Sequence, residues 1–318
     1  HHRAGHLLSP DGYYYEGFEY WIFSTPWLVH FLDAWEHSTG ESLWDRGQFR
    51  NWKYMVAHSI LPDGQTVADF ADLLAFMEAV AREYPTGALK SNFNLLYRVA
   101  ARFRDREAQA VAARLAAFGH TNQEEWWTLL WRDPSLPAAP MGDIPLSHHF
   151  DDSGVFFHRT SWNAEATASA LKAGPPEGHR ATQLLASIPE WQLSSGHAHP
   201  DAGSFIIWAG GRYLTGDTGY AGQPQARHHN TITVGGIGQG DEGAHDVWRG
   251  MSQAALDTIR ITRATADATG VRVEADVAAA QARLHLQHFA LGDVEVLGHG
   301  GHFLGVHPAQ ALLALAQV

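Results

Sequence analysis

A chain of 318 residues with 45% hydrophobic and 11% aromatic content is long and apolar enough for one large core or two ordinary ones, which excludes a disordered chain. Its 34 acidic residues against 22 lysines and arginines leave a formal charge of −12, which argues against nucleic acid as the main partner. The absence of cysteine removes disulfides, thiolate zinc sites and thiol catalysis together, and no apolar run approaches the ~20 residues of a membrane span.

Residues 1–132 read as helical. Aromatic and aliphatic side chains recur at three- and four-residue spacing over Trp21–Trp35, Phe70–Tyr84, Phe93–Phe103 and Ala108–Phe118. Breaks fall at Ser38-Thr39-Gly40, Leu61-Pro62-Asp63-Gly64 and Tyr84-Pro85-Thr86-Gly87, all turn chemistry. Helices of similar length with short connections suggest an all-α array whose inner ends line a cleft. The opening DGYYYEGFEYW (Asp11–Trp21) is dense in tyrosine, and one of its phenols is a candidate to face that cleft.

Residues 133–146, DPSLPAAPMGDIPL, hold four prolines and form the expected linker. Residues 147–318 then change period. Strands are expected at Gly154–Arg159, Ala166–Lys172, Gln183–Ile188, Gly203–Ala209, Thr231–Val234, Gly270–Val277 and Ala282–Ala290, with short antiparallel connections and sheet packed on sheet. The last residues turn Gly- and Ala-rich without alternation, and the first residue is His1, so the chain reads as a piece shortened at both ends.

The densest chemistry lies between Ser194 and Gly243, which holds His197, His199, Asp201, Asp217, His228 and His229. In an extended His-x-His both imidazoles leave one face, because side chains alternate with period two. With a carboxylate from the next strand they make a candidate divalent-metal site. Alternatively, one imidazole moves protons while the other binds metal. The structural alternative is ordinary, since the chain has 21 histidines and a lone one is usually a hydrogen-bonded packing residue.

Three segments in succession, GHAHPDAGSF (196–205), GDTGY (216–220) and HHNTITVGG (228–236), follow a helical half. Together with IPLSHHFDDSGVFFHRTSW (144–162) and DGYYYEGFEY (11–20), this order resembles the heparinase II/III-like polysaccharide lyases, whose relatives include oligoalginate lyases and the dermatan-sulfate epimerase group. The resemblance covers residues 10–245. It implies an α+β multidomain fold, an incomplete α/α toroid followed by an antiparallel β-sandwich. It also implies β-elimination at a uronic acid, with loss of the C5 proton and cleavage of the 4-O bond.

Carried over motif by motif, the resemblance makes Tyr20 and His197 the acid–base pair. It makes His199, Asp217 and His229 ligands of zinc or another divalent metal. It implies an acidic polysaccharide or oligosaccharide as partner and a periplasmic or secreted protein. It also implies a carboxylate-neutralising Asn or His on a helix well upstream of the tyrosine, which the sequence before Tyr20 is too short to hold. Trp21, Arg159 and Arg227 are the substrate-contact candidates, by ring stacking and by guanidinium–carboxylate pairing. Asp201 is expected to brace the turn or to orient His199. Three other readings stand beside the lyase: a uronate C5-epimerase, a non-catalytic carbohydrate-binding relative, and a cupin-like metalloenzyme. The last wants a Glu shortly after His-x-His, where this chain has Ala202-Gly203-Ser204-Phe205.

Overall fold

The computed structural model describes residues 9–45, 48–68, 70–72, 93–120, 126–188, 197–219, 224–234, 236–242, 247–267, 270–281, 294–299 and 302–304. The expected helix Phe70–Tyr84, apart from its first three residues, and the expected strand Ala282–Ala290 lie outside them.

The helical half begins with α1 (Gly17–Thr39), which ends where Gly40 takes φ 74° and returns its N–H to the Glu36 carbonyl. That left-handed cap is one a glycine adopts without strain. Next come α2 (Gln48–Ser59), α3 (Leu95–Phe103), α4 (Arg106–Ala117) and the short α5 (Trp126–Trp131). Asp105 starts α4 by accepting from the N–H groups of Glu107 and Ala108. The same carboxylate holds the Lys53 ammonium of α2 at 2.6 Å, so one cap also fixes the packing of two helices.

Among the described residues, nine strands follow in two antiparallel sheets. The first runs β1 (Ser147–Phe150), β2 (Val155–Arg159), β3 (Ala168–Lys172), β4 (Ser204–Ala209) and β5 (Arg212–Thr215), each paired with the next. The second runs β6 (Arg260–Asp267), β7 (Gly270–Asp276), β8 (Val294–His299) and β9 (His302–Leu304). Where strands were expected at Gln183–Ile188, the chain instead forms α6 (His179–Ala186), which buries Ala181, Thr182 and Leu185 on one face. A further short helix, α7 (Gln253–Leu256), precedes β6. Thr231–Val234 is not a strand either: Val234 forms only an isolated bridge to Ile237.

Alternation in β2 explains the layering. Val155 and Phe157 join the helical core with Phe18, Trp21, Trp52 and Leu96, whereas Phe156 between them joins a second core with Leu171, Val247, Trp248, Ile261 and Val273. The first sheet is thus covered by helices on one face and by the second sheet on the other. Arg159 at the end of β2 is 1% exposed and donates from Nη2 to the carbonyls of Ala57, His58 and Ile60 at 2.8–3.1 Å. It therefore caps the C-terminal end of α2, where carbonyl lone pairs are left over and a cation is favoured. The Pro-rich connection is packed too: Leu136 and Ile144 are buried, and the Ala139 N–H donates to the Arg106 carbonyl.

Candidate active site

The site lies where the segment after α2 crosses in front of β4. Residues 66–68 leave the turn at Asp63-Gly64, and further on the Ala71 backbone pairs antiparallel with Ala198, the residue between the two histidines of His-x-His. Asp72 is thereby set against both imidazoles. Its Oδ2 lies 2.8 Å from His197 Nδ1, and its Oδ1 lies 2.9 Å from His199 Nε2. On the other side of His197 stands Tyr20 of α1, ring on ring, with centroids 3.8 Å apart and planes 25° from parallel. Tyr20 is half-buried, and the His197 side chain keeps 31% of its surface open, so this pair borders solvent while His199 is 1% exposed.

The three residues His199, Asp217 and His229 each offer a ligand atom within 4.8 Å of the others. Asp217 sits just past β5 and His229 just past a 3-10 turn, Ala226–His228. His229 Nδ1 meets Asp217 Oδ2 at 2.7 Å, and Asp217 Oδ1 accepts the Gly219 N–H. Burial works against charge on His229. The hydrogen bond that His229 donates to Asp217, with the charges of Asp217 and Asp201, outweighs this and holds the His229 pKa above the ordinary imidazole value.

Two further atoms decide whether a metal fits. His199 Nδ1 and His229 Nε2 are buried with no hydrogen-bond partner among the described residues. An unmet buried polar atom costs about 1–3 kcal/mol, so two such atoms beside one carboxylate are better explained as ligands. Two neutral imidazoles and a carboxylate are the donor set of a divalent transition ion such as zinc, with a fourth position left over.

The loops that carry the triad are clipped together by amides and a hydroxyl. Asn230 Nδ2 donates to the carbonyls of Phe205 and Gly216, and Thr231 Oγ1 donates to the Ala202 carbonyl. Gln239, fully buried, accepts from the Ala202 N–H and donates to the Ala202 carbonyl and Thr231 Oγ1. Gly203, at φ +83°, turns the chain from His-x-His into β4. These bonds explain why the β-branched run from Thr231 does not extend into a strand: its polar groups are committed to the loops on either side.

Of the residues singled out from sequence, the structure brings together Tyr20, His197, His199, Asp217 and His229. Three assignments change. Trp21 is fully buried and packs edge-on against Trp52, so its ring cannot stack on a sugar. Arg159 is spent on the α2 carbonyls, out of reach of any substrate. Asp201 does not orient His199. It forms a buried ion pair with Lys172 at 2.9 Å, and its backbone carbonyl receives the Ser204 N–H. The residue that does hold His199 is Asp72, which the sequence reading missed along with Gln239. Arg227 is exposed, two positions before His229.

Part of the chain is similar to known proteins. Residues 145–290, a little under half of the chain, match the family described as heparinase II/III-like, C-terminal. A heparin-sulfate lyase of Bacteroides stercoris is 32% identical over 108 residues, covering 29% of this chain and 14% of that protein. A crystal structure of heparinase III superposes with a TM-score of 0.51 at 15% identity, covering 85% of this chain and 37% of that one. A heparan sulfate lyase of Pedobacter heparinus gives a TM-score of 0.47 at 17% identity, over 88% of this chain and 36% of that one. The chain thus spans well under half the length of these relatives. The heparinase III likeness is one of fold, helices followed by antiparallel sheets. The segment that carries His197, His199, Asp217 and His229 lies within the residues that match the heparinase II/III-like C-terminal family.

Proposed function

We propose that the chain is the catalytic part of a polysaccharide lyase that cleaves uronic-acid-containing glycans by β-elimination. Its helices would then be part of an α/α toroid and its two sheets a β-sandwich. The observation that carries the reading is the stacked pair of Tyr20 and His197, one from each half of the molecule, tied through Asp72 to His199 of the His199–Asp217–His229 triad.

The chemistry divides between the pair by hydrogen bonding. Asp72 accepts from His197 Nδ1, which leaves the Nε2 lone pair for a substrate proton, and the Tyr20 phenol has a proton to give. His197 is therefore the base: it takes the C5 proton, and the electrons of the C5–H bond form the C4–C5 double bond. The C4–O4 bond breaks in the same elimination, and the Tyr20 hydroxyl supplies the proton that the departing oxygen needs. His199, Asp217 and His229 would hold zinc, which supplies fixed positive charge in the wall of the cleft. Arg227, exposed two positions before His229, would pair with a uronate carboxylate, because a guanidinium matches two carboxylate oxygens. The names of the similar lyases make heparan-type glycosaminoglycans the first substrates to try.

Incubation with a panel of uronate polymers, followed by ultraviolet absorbance of the unsaturated product, tests the reading. Absorbance should rise with at least one polymer, and Tyr20→Phe should abolish the rise while leaving the melting temperature unchanged. Full activity in Tyr20→Phe would remove Tyr20 from the reaction.

A further inference from the structure

We propose that Asp72 is a positioning residue that sets the proton on both histidines of His-x-His at once, and so ties the acid–base group to the metal site. The proposal rests on the lyase reading for the role of His197, but its geometry does not. A carboxylate can only accept, so each ring nitrogen it meets must be the one that carries hydrogen. At His197 that nitrogen is Nδ1, 2.8 Å from Oδ2, which leaves the Nε2 lone pair for the proton of the substrate. At His199 it is Nε2, 2.9 Å from Oδ1, which leaves the Nδ1 lone pair, the buried atom with no other partner among the described residues. One carboxylate therefore selects the tautomer of the base and the tautomer of a ligand.

The placement of Asp72 is built rather than incidental. The Ala71–Ala198 backbone bridge fixes the crossing point of the two segments, one residue from Asp72 and midway between the two histidines. Tyr213 of β5 donates its hydroxyl to the Val67 carbonyl, pinning the same segment a turn earlier. The Asp72 side chain is 9% exposed, so water competes little for its oxygens. Partners of this kind, one bond behind a ligand, typically contribute 10–100-fold in metal affinity or activity.

Nitrogen-15 labelling of the histidines reads the tautomers directly, at one fixed neutral pH, with His197→Gln and His199→Gln used only to assign the signals. The wild-type protein should show His197 protonated at Nδ1 and His199 protonated at Nε2. The opposite tautomer at either ring would overturn the proposal without any variant being made. Asp72→Asn keeps the shape but offers one acceptor instead of two, so at least one ring should lose its fixed tautomer. Zinc retained after dialysis should fall, and kcat should drop roughly 10–100-fold with KM within about twofold. Asp72→Glu, which restores both acceptors, should recover part of each loss. Unchanged tautomers and zinc in Asp72→Asn would refute the proposal. A wild-type chain that releases no unsaturated product from any polymer would instead count against the lyase reading, with the tautomer and zinc measurements still deciding the role of Asp72.

Discussion

Among the described residues, one group of histidines lies at the seam between helices and first sheet and another in the site, and their surroundings differ in one respect. At the seam between helices and first sheet, His148 stacks on Tyr54 at 4.4 Å, His58 rests on Trp162 at 5.3 Å, and His158 Nδ1 meets the Ser147 hydroxyl at 2.7 Å. Burial is the first cause that lowers all three pKa values, with the Arg159 charge adding to it at His58 and His158; His148 falls to about 4. In the site, His197, His199 and His229 each meet a carboxylate at 2.7–2.9 Å. A buried imidazole without a carboxylate is held neutral and behaves as an aromatic filler. With one, it has a defined proton and a lone pair aimed elsewhere, which is what proton transfer or metal binding requires.

The sharpest test of that contrast is a matched pair of substitutions. His199→Ala should remove bound zinc and lower turnover at least ~10²-fold, and it should lower the melting temperature, because an ion bound only by the folded state stabilises it. His148→Ala should leave zinc content intact and turnover within a few-fold. Loss of zinc in both, measured by elemental analysis, would erase the distinction drawn between the two groups.

Arg159 should separate stability from binding. Arg159→Ala strips the partner from three buried carbonyls and opens a cavity beneath Trp162, so unfolding in urea should show a loss of about 3–5 kcal/mol. KM for any cleaved polymer should stay as it was. A raised KM with unchanged stability would return Arg159 to the substrate.

The smallest effect is one of pH. In the unfolded chain an imidazole takes its proton at about 6.5, whereas the folded seam resists protonation. Above pH ~7 both states are neutral there, and this contribution to stability does not change with pH. As pH falls below ~6.5 the unfolded chain binds more protons, and His58 alone costs up to ~1.4 kcal/mol per pH unit. His148 adds to the loss until its own value near 4 is reached. His58→Leu should flatten the dependence of the urea midpoint on pH between about 7 and 5; an unaltered slope would show that the seam ring is not held neutral.

What the sequence shows and what it hides follow from the same contrast. His197, His199, Asp217 and His229 lie within 33 residues on loops between strands, so their grouping is visible as spacing. Asp72 is 125 residues from His197, inside a stretch that reads like a helix face, and only the Ala71–Ala198 bridge brings it to the site. His148-His149 and His228-His229 look alike as letters, and what separates them is the neighbouring acid. Gln183–Ile188 is a short apolar run that suits strand or helix equally, and packing of Ala181 and Leu185 decides for the helix. Trp21 and Arg159 have side chains suited to sugars, but each found a partner inside the protein first.

The Pro-rich connection between the helical and sheet halves has a consequence for how the molecule comes apart. Leu136 and Ile144 anchor it in the core, the Trp162 indole donates to the Ile144 carbonyl, and Arg159 reaches across the boundary it spans. It is a strap, and its peptide bonds are not what keeps the halves together. A protease that nicked it between Pro137 and Pro140 would leave two fragments that co-purify, still docked through a shared interior, with Tyr20 on one fragment and His197 on the other.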